Sequence, residues 1–335
     1  MVSVTIVTWN SAQYLGECFA SLERQDYCVL EVIVVDNAST DDTRSLLRQV
    51  ESRWRVIYND RNVGFAAGQN QAIRASTGTR VLCLNPDVVL SPDFVSQLVA
   101  AGEAHPEAGS LCGKLLRWDP ASQRHKTNVI DSTGIYFTRS MRHLDRGAEE
   151  RDSGQYDRAQ YVFGASGAAV MFRREFIEAV SVEGEFFDEE FFAFREDADL
   201  AWRAQVMGWK CLHIPAAVAW HVRRVTPERR RDLPLVINWH SVKNRFLMRG
   251  KNASGWLCWR LFFPVAWRDL MTIGYALVRD WRMVSALVYP LGAYRSIRRK
   301  RAIIQSGRRV SDRDLLWWFC NTPRAVDAEK AVGRS

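Results

Sequence analysis

The sequence predicts an α/β fold: a mostly parallel sheet with flanking helices, followed by a helical C-terminal extension. Short β-rich runs alternate with amphipathic helical patterns in the first half of the chain, and this order is typical of parallel sheets. The 335 residues suffice for one large domain plus an extension. The last hundred residues are basic, rich in Trp and Arg, and helical in pattern.

Four predicted strands alternate with helices in the first ninety residues. The β-rich runs are Val2–Val7, Leu30–Val35, Arg55–Tyr58 and Arg80–Leu84. The helical patterns are Ser11–Arg24, Ser39–Val50 and Asn70–Ala75. Ser91-Pro92-Asp93 places an N-cap residue, a proline and an acid in the order that starts a helix. We therefore expect four parallel strands with helices on both faces.

The middle of the chain is less regular. Residues 117–160 are polar and are predicted to form a long surface insertion. Beyond them the expected elements are a β-rich stretch Val162–Phe172, a helix Arg174–Val180, a helix Glu196–Met207 capped by Gly208, and a strand Cys211–Trp220. We place a catalytic domain at 1–235 and a tail at 236–335.

The two parts differ in charge. Residues 1–235 hold 27 basic and 32 acidic side chains, whereas residues 236–335 hold 19 and 6. A basic tail predicts an anionic partner, either nucleic acid or lipid headgroups. The seven cysteines form no C-x-x-C pair and favour a reducing compartment. We expect no targeting segment and no transmembrane helix, because the first apolar run is short and no eighteen-residue apolar run occurs.

Polar side chains follow three of the predicted strands. Thr8 and Asn10 end the first, Asp36 ends the second, and Asn85 and Asp87 follow the fourth. Ligands of such sheets bind beyond the carboxyl ends of the strands. An acid at Asp36 can accept hydrogen bonds from a nucleoside or cap a helix. An acid at Asp87 can hold a divalent cation that also contacts phosphates, or can simply stabilise a turn.

Two later segments also carry candidate groups. The Gly-rich stretch Asn62–Asn70 opens a helix, and such loops bind anions or nucleotides. The carboxylates Glu196, Asp197 and Asp199 begin another helix beside an aromatic run, where they favour the helix dipole or supply a general base. A lone histidine, His221, ends the last strand and becomes a ligand only if a metal is present.

In this order and at these spacings the segments resemble the family-2 glycosyltransferases, which have a GT-A fold and use nucleotide-diphosphate sugars. The most specific parts are G-A-S-G-A-A-V-M-F-R-R and F-D-E-E-F-F-A-F-R-E-D-A-D-L-A-W-R. The matching stretches are Val4–Asn10, Val32–Thr43, Asn62–Asn70, Leu82–Leu90, Gly164–Arg174 and Phe187–Gly208. The branch that looks most similar is that of rhamnosyltransferase-like enzymes of bacterial surface polysaccharide assembly.

The resemblance implies roles for particular residues. Those matched to nucleotide-sugar binding are Thr8, Asn10, Asp36, Asn70 and Asn85. Asp87 matches the last acid of the family's Asp-x-Asp metal motif, and His221 matches a histidine that completes the shell around Mg²⁺ or Mn²⁺. Asn85 stands where that motif has its first acid, and the lost negative charge weakens the expected metal site. Asp197 matches the catalytic base, with Glu196 and Asp199 on the acceptor side.

The function implied is an inverting transfer of a sugar, with dTDP-rhamnose or a UDP-sugar as donor and a glycan or lipid-linked acceptor. The alternatives are another nucleotide-sugar or nucleotidyl transferase, a nucleic-acid-binding protein using the basic tail, and a catalytically inactive scaffold. Basic residues of the tail alternate with aromatic ones, which favours an anionic membrane over nucleic acid.

We therefore expect the tail to lie peripherally on the inner, cytoplasmic face of the cell membrane. Its aromatic part is Gly255–Tyr294, and the cluster Arg295–Arg301 follows as the expected lipid-binding group. The alternative is a helical subdomain that packs its aromatic side chains on the catalytic domain.

Overall fold

The computed structural model describes residues 1–119, 126–223, 235–279 and 281–321. In these ranges the strands are β1 Val2–Thr8, β2 Leu30–Asp36, β3 Arg55–Tyr58, β4 Arg80–Leu84, β5 Val88–Leu90, β6 Ala108–Trp118, β7 Lys126–Ser132, β8 Ile135–Phe137, β9 His143–Asp145, β10 Gln160–Val162, β11 Ala169–Arg173 and β12 Lys210–His221. The helices are α1 Ala12–Glu23, α2 Thr43–Arg48, α3 Phe65–Ala75, α4 Phe94–Ala104, α5 Arg174–Val180, α6 Glu196–Val206, α7 Leu235–Asn252, α8 Gly255–Arg260, α9 Phe262–Arg279, α10 Val284–Gly292, α11 Tyr294–Ser306 and α12 Asp312–Cys320.

One large sheet organises the chain, with the strand order β10-β12-β6-β11-β4-β1-β2-β3. Along this path only β10 and β11 run against the others, so the sheet is mostly parallel. Strands β5 and β7 pair at its side with β12 and β6. The predicted fold class is confirmed, and β4, β1 and β2 lie side by side with their carboxyl ends at one edge.

The prediction of an irregular insertion at 117–160 was wrong in part. Strand β6 continues to Trp118, β7 adds to the large sheet, and β8 pairs with β9 in a small separate sheet. Strands β8 and β9 have only three residues each, so their pattern in the sequence is weak. The sequence also missed β5, whose three residues follow the Asn85-Pro86-Asp87 turn.

Helix α6 follows its sequence pattern closely. It ends at Val206, and Gly208 has a φ of +81°, a conformation that glycine adopts without steric cost. Almost the whole helix is buried, because Trp202 and Leu200 face a large aromatic core. The acidic start of α6 is therefore fixed from behind by packing.

The C-terminal helices share this core. Leu247 of α7, Leu257 of α8 and Ile304 of α11 belong to the same buried cluster as Trp202. Phe319 of α12 lies against Trp202 with the ring centroids 4.9 Å apart. The packing therefore ties α7, α8, α11 and α12 to α6, while the domain boundary at residue 235 stays a prediction.

Helix α9 has an unusual orientation. Its acid Asp269 faces inward and pairs with two arginines of α7, Arg245 at 3.0 Å and Arg249 at 2.7 Å. Its apolar side chains face outward, with Phe263 83% exposed and Trp267 68% exposed. No helix within the described ranges is long and apolar enough to cross a bilayer.

Candidate active site

The carboxyl ends of β1 and β2 are joined by their own side chains. Thr8 lies opposite Asp36 in the parallel register, and the Thr8 hydroxyl donates to Oδ1 of Asp36 at 3.1 Å. Asp36 also accepts from the backbone N–H of Ser39 at 3.2 Å and from Nε of Arg44 at 2.8 Å. Both Thr8 and Asp36 are fully buried, and every one of these bonds lies within the protein.

Asn10 continues the same edge toward solvent. It has a left-handed backbone with a φ of +48°, which is rare for a residue with a side chain and is common at functional turns. Its side-chain oxygen accepts from the backbone N–H of Thr40 at 2.8 Å, and Trp9 beside it is 56% exposed. The structure thus places Thr8, Asn10 and Asp36 together, and their nucleoside role stays a prediction.

A chain of alternating charges starts at Asp87. Nε2 of His221 lies 3.5 Å from Oδ1 of Asp87, and Nδ1 of His221 lies 2.8 Å from Oδ2 of Asp131. Arg223 then bridges Asp131, at 3.0 Å, and Asp145, at 2.5 Å. The predicted pair of Asp87 and His221 is therefore brought together, and a buried carboxylate fixes the imidazole from behind.

The charges of this chain set each other's protonation. Burial alone would lower the pKa of His221, but Asp131 and Asp87 outweigh it and raise this pKa to about 10. Burial alone would raise the pKa of Asp131, but His221 and Arg223 outweigh it and hold this pKa below its ordinary value. Without a cation, the imidazole therefore carries the positive charge between the two carboxylates.

These residues fit a divalent cation. Oδ1 of Asp87 is buried and accepts no hydrogen bond from the part of the chain that the structure describes, and 3.5 Å is long for a bond from His221. A carboxylate, an imidazole and a carboxylate behind the imidazole are a common ligand arrangement. Within the described residues no group of three or more potential ligand side chains gathers around one point. Any cation here would therefore take its other ligands from phosphate and water, as Mg²⁺ usually does.

Asp197 lies at the N-terminus of α6, within reach of the same edge. Its Oδ2 accepts from the backbone N–H of Gly167 at 3.1 Å, and its Oδ1 from that of Ala198 at 2.7 Å. The next residue, Ala168, accepts from the backbone N–H of Asn85 at 2.8 Å. The segment Gly167–Ala168 therefore joins Asp197 to the turn that carries Asp87.

The electrostatics of Asp197 suit proton transfer. Burial raises its pKa above the ordinary value, and the nearby carboxylate of Asp145 raises it further, against the hydrogen bonds from Gly167 and Ala198. A carboxylate accepts a proton more readily as its pKa approaches the working pH. Burial and the neighbouring carboxylate of Asp197 also raise the pKa of Glu196, to about 8.

Two predicted site residues turn inward instead. Asp199 is 1% exposed and accepts from Lys251 at 3.0 Å and from Asn252 at 2.7 Å, both on α7. Asn70 is 2% exposed and exchanges two hydrogen bonds with the backbone of Phe187. Because these contacts occupy both side chains, we infer that Asp199 attaches α7 to α6 and that Asn70 holds the backbone at Phe187.

Sequence reasoning missed three members of the charge chain. Asp131, Asp145 and Arg223 lie in or beyond the segment that was expected to be irregular. Asp131 follows the apolar pair Val129-Ile130 and precedes a glycine turn, which is a weak indication of a strand end. Only the pairing of β7 with β6, beside β12, brings Asp131 to His221.

Comparisons with known proteins bear on the family and the fold of the chain. The family model described as glycosyl transferase family 2 matches residues 3–180. An N-acetylglucosaminyl-diphospho-decaprenol L-rhamnosyltransferase of Mycobacterium tuberculosis is 26% identical over 314 residues, covering 86% of this chain and 98% of that protein.

Two solved structures show the same fold at lower identity. GalNAc-T7, solved with UDP, GalNAc and Mn²⁺, has a TM-score of 0.58 and 14% identity, with 75% of this chain and 48% of that chain covered. A mannosyltransferase of Pyrobaculum calidifontis, solved with GDP-Man and Mn²⁺, has a TM-score of 0.52 and 18% identity, with 91% and 85% covered.

Proposed function

The chain belongs to glycosyltransferase family 2, and from this membership we propose that it transfers a sugar from a nucleotide-diphosphate donor to a hydroxyl group with inversion, with Asp197 as the general base. The enzyme is a glycosyltransferase with the GT-A fold. One observation carries the proposal: Asp197 is bonded to the segment Gly167–Ala168, which also holds the turn bearing Asp87. The proposed proton acceptor and the turn that bears the proposed donor-binding carboxylate are therefore both hydrogen-bonded to one short backbone segment.

The reaction is a single displacement. The acceptor oxygen bonds to the anomeric carbon while the bond from that carbon to the diphosphate oxygen breaks, and the diphosphate leaves with the electron pair. The hydroxyl proton passes to the carboxylate of Asp197. The N–H groups of Gly167 and Ala198 fix the orientation of this carboxylate, and general base catalysis of this kind typically contributes about 10²–10⁴-fold.

Asp87 and His221 would hold the Mg²⁺ or Mn²⁺ that the family resemblance implies. When bound, the cation supplies positive charge to the leaving diphosphate. Asp131 keeps the Nδ1 proton of His221 engaged, so Nε2 is the nitrogen available to a cation. Asn85 lies half buried on the same turn and contributes no charge, which leaves Asp87 as the anionic ligand.

The donor we propose is dTDP-rhamnose, with a UDP-sugar as the second choice. Support comes from the Mycobacterium tuberculosis relative, whose name describes the transfer of L-rhamnose to a lipid-linked sugar diphosphate. We propose a lipid-linked or glycan acceptor in cell-surface polysaccharide assembly, and the name of the same relative supports the lipid-linked one.

The test is a screen of nucleotide sugars for release of nucleoside diphosphate, with and without Mn²⁺. Release of a nucleoside diphosphate supports sugar transfer, whereas release of pyrophosphate indicates a nucleotidyl transferase. If no sugar nucleotide is turned over, the result would favour the alternative of a catalytically inactive scaffold. Salt-sensitive binding to DNA, seen as a shift in mobility, without binding to liposomes would favour a nucleic-acid-binding protein.

The surface of α9 supports a membrane partner. The charged side of this helix faces α7, and its apolar side faces outward. The most exposed apolar side chains of this region are Trp259, Phe262, Phe263, Trp267, Leu270, Leu277, Val278 and Leu291. Such a large exposed apolar patch is unusual on a monomeric protein, and its tryptophans are typical of the membrane–water interface.

The structure changes which basic residues can meet lipid. Arg299 pairs with Glu183, and Lys300 pairs with Glu185 at 3.0 Å and Asp188 at 2.7 Å. Arg301 donates to the backbone of Gly250 at 3.0 Å. These three members of the predicted lipid-binding cluster are thus engaged in contacts within the chain, Lys300 in a buried pair and Arg299 in an exposed one.

Arg295, Arg298 and Arg260 stay exposed, near the apolar surface in sequence. We therefore propose that α9 lies on an anionic membrane, with these arginines at the headgroups. The seven cysteines are free thiols, which supports the inner, cytoplasmic face as the location.

A further inference from the structure

The loop before Asp197 has a costly backbone conformation. Phe192, Phe194 and Arg195 have φ values of +64°, +71° and +71°, in the region that side chains disfavour. A residue with a side chain is strained in this region and persists there only where the surroundings hold it. Glu196 and Asp197 follow directly. The position of the proposed base therefore depends on whatever holds this loop.

Asn244 of α7 holds three of the loop's carbonyl groups. Its Nδ2 lies 3.0 Å from the oxygen of Phe191, 2.9 Å from that of Ala193 and 2.7 Å from that of Phe194. Two N–H groups thus serve three acceptors, and the side chain is fully buried. The remaining carbonyl, that of Phe192, accepts from the backbone N–H of Ala66 at 3.1 Å. Every carbonyl from Phe191 to Phe194 is consequently held from outside the loop.

The opposite end of the amide indicates what Asn244 is there for. Its Oδ1 is buried and has no hydrogen-bond partner among the described residues, an arrangement that costs stability and is uncommon in proteins. A second contact from α7 supports the same loop, since Nε of Arg195 donates to the carbonyl of Ser241 at 2.8 Å. Helix α7 therefore holds the loop by hydrogen bonds at the residues with positive φ.

We propose that Asn244 is a positioning residue for the transfer reaction, which acts by holding the Phe191–Arg195 loop in the conformation that presents Asp197. This inference rests on the proposed function of Asp197. It assigns a role in catalysis to α7, a helix beyond the residues 3–180 that the family model covers. The proposed role of Asn244 is indirect, because its side chain contacts the carbonyl groups of the loop and acts on Asp197 through them.

Asn252 provides a matched control. It lies two turns further along α7, is also fully buried, and also has a buried Oδ1 without a partner. Its Nδ2 donates to Asp199 at 2.7 Å and to the carbonyl of Met248 at 2.9 Å, and to no carbonyl of the loop. Asn244→Ala and Asn252→Ala therefore remove the same group from the same helix at equal depth.

Two measurements separate positioning from general destabilisation. Asn244→Ala is expected to lower kcat by about 100-fold, with the donor KM changed by less than about threefold, because a small misplacement of a catalytic group has an effect of this size. Amide hydrogen exchange in a peptide covering Phe191–Arg195 should accelerate. Asn252→Ala should lower the melting temperature similarly, with a much smaller fall in kcat and no acceleration in that peptide.

The inference is overturned if both variants lower kcat equally at temperatures well below their melting points, or if exchange in the loop is unchanged in Asn244→Ala. If Asn244→Ala does not fold, Asn244→Ser provides the same two measurements with a smaller cavity. If the wild type turns over no sugar nucleotide, the proposed function fails, while the exchange measurement still decides whether Asn244 holds the loop.

Discussion

Nδ1 of His221 lies 2.8 Å from Oδ2 of Asp131, so the other ring nitrogen, Nε2, faces Asp87. Residues that orient a metal-binding histidine in this way are often as necessary as the ligands themselves. In the proposed mechanism, the residues that serve the donor therefore include a carboxylate on β7, a strand outside the sequence motifs.

Replacing Asp131 should impair catalysis through His221. Asp131→Asn removes the charge that fixes the imidazole, and we expect activity or metal affinity to fall by about 10–100-fold. The measurement is activity across a titration of Mn²⁺. Asp152→Asn is the control, because Asp152 pairs with Lys114 at 2.8 Å in the same part of the chain. A variant of Asp131 with the metal dependence of the wild type would show that this carboxylate has no such role.

Asp197→Asn should keep the fold and donor binding and lose transfer by about 10²–10⁴-fold, because it removes the proton acceptor with little change in volume. The measurement is release of nucleoside diphosphate beside a donor-binding titration. Glu196→Gln should lose far less, since a carboxyl with a pKa of about 8 is mostly protonated at neutral pH and resembles the amide. Near wild-type turnover in Asp197→Asn would exclude Asp197 as the base.

Changes at the Asp87 turn should alter metal use in opposite directions. Asp87→Ala is expected to weaken donor binding as well as turnover, and EDTA should have the same effect on the wild type. Asn85→Asp restores the second acid of the motif and should lower the Mn²⁺ concentration needed for half-maximal activity by several-fold. Full wild-type activity in EDTA would remove the cation from the mechanism.

The outward face of α9 should control membrane binding. Phe263→Ser with Trp267→Ser should lower sedimentation with anionic liposomes by more than about 10-fold, since each side chain buries apolar surface in lipid. Val236→Ser is the control, as Val236 is 62% exposed on α7. Truncation near Leu235 would be a poor comparison, because α7 supplies buried core residues. Wild-type protein that stays in the supernatant at low salt would contradict the membrane proposal.

The buried ion pairs of α7 and α11 should make stability depend on pH. Burial alone would raise the pKa of Asp188, but Lys251 and Lys300 outweigh it and hold the pKa well below its ordinary value of 3.8. A carboxyl group whose pKa is lowered by folding contributes stability at pH values above its ordinary pKa. This stability is lost as the pH falls toward the lowered pKa. Lys251→Met should destabilise the fold by about 3–5 kcal/mol at pH 7, because the buried carboxylates of Asp188 and Asp199 each lose an ion pair.

The melting temperatures of wild type and Lys251→Met should therefore converge between about pH 4 and pH 2. Arg299→Ala, which breaks an exposed pair with Glu183, should change the melting temperature little at any of these pH values. A gap between wild type and Lys251→Met that stays constant down to pH 2 would mean that Asp188 is not stabilised by these lysines.

Local patterns along the chain were enough to predict the fold class, the family and most of the strand ends. Apolar runs fixed β1, β2 and β4, because a strand buried on both faces needs them, and these strands place Thr8, Asp36 and Asp87 at one edge. The same local patterns placed Asp197 at the start of a helix.

Contacts between groups that lie far apart in the sequence could not be predicted from local patterns. Asp131 reaches His221 over ninety residues, and Asn244 reaches Phe194 over fifty. Strand pairing and helix packing create both contacts, and neither contact leaves a local pattern. The sequence likewise showed that the tail is aromatic and basic, but the charged side of α9 faces α7 only because Arg245 and Arg249 lie there with Asp269 between them. A side chain's environment depends on what packs against it, and the sequence of one element does not contain its neighbour.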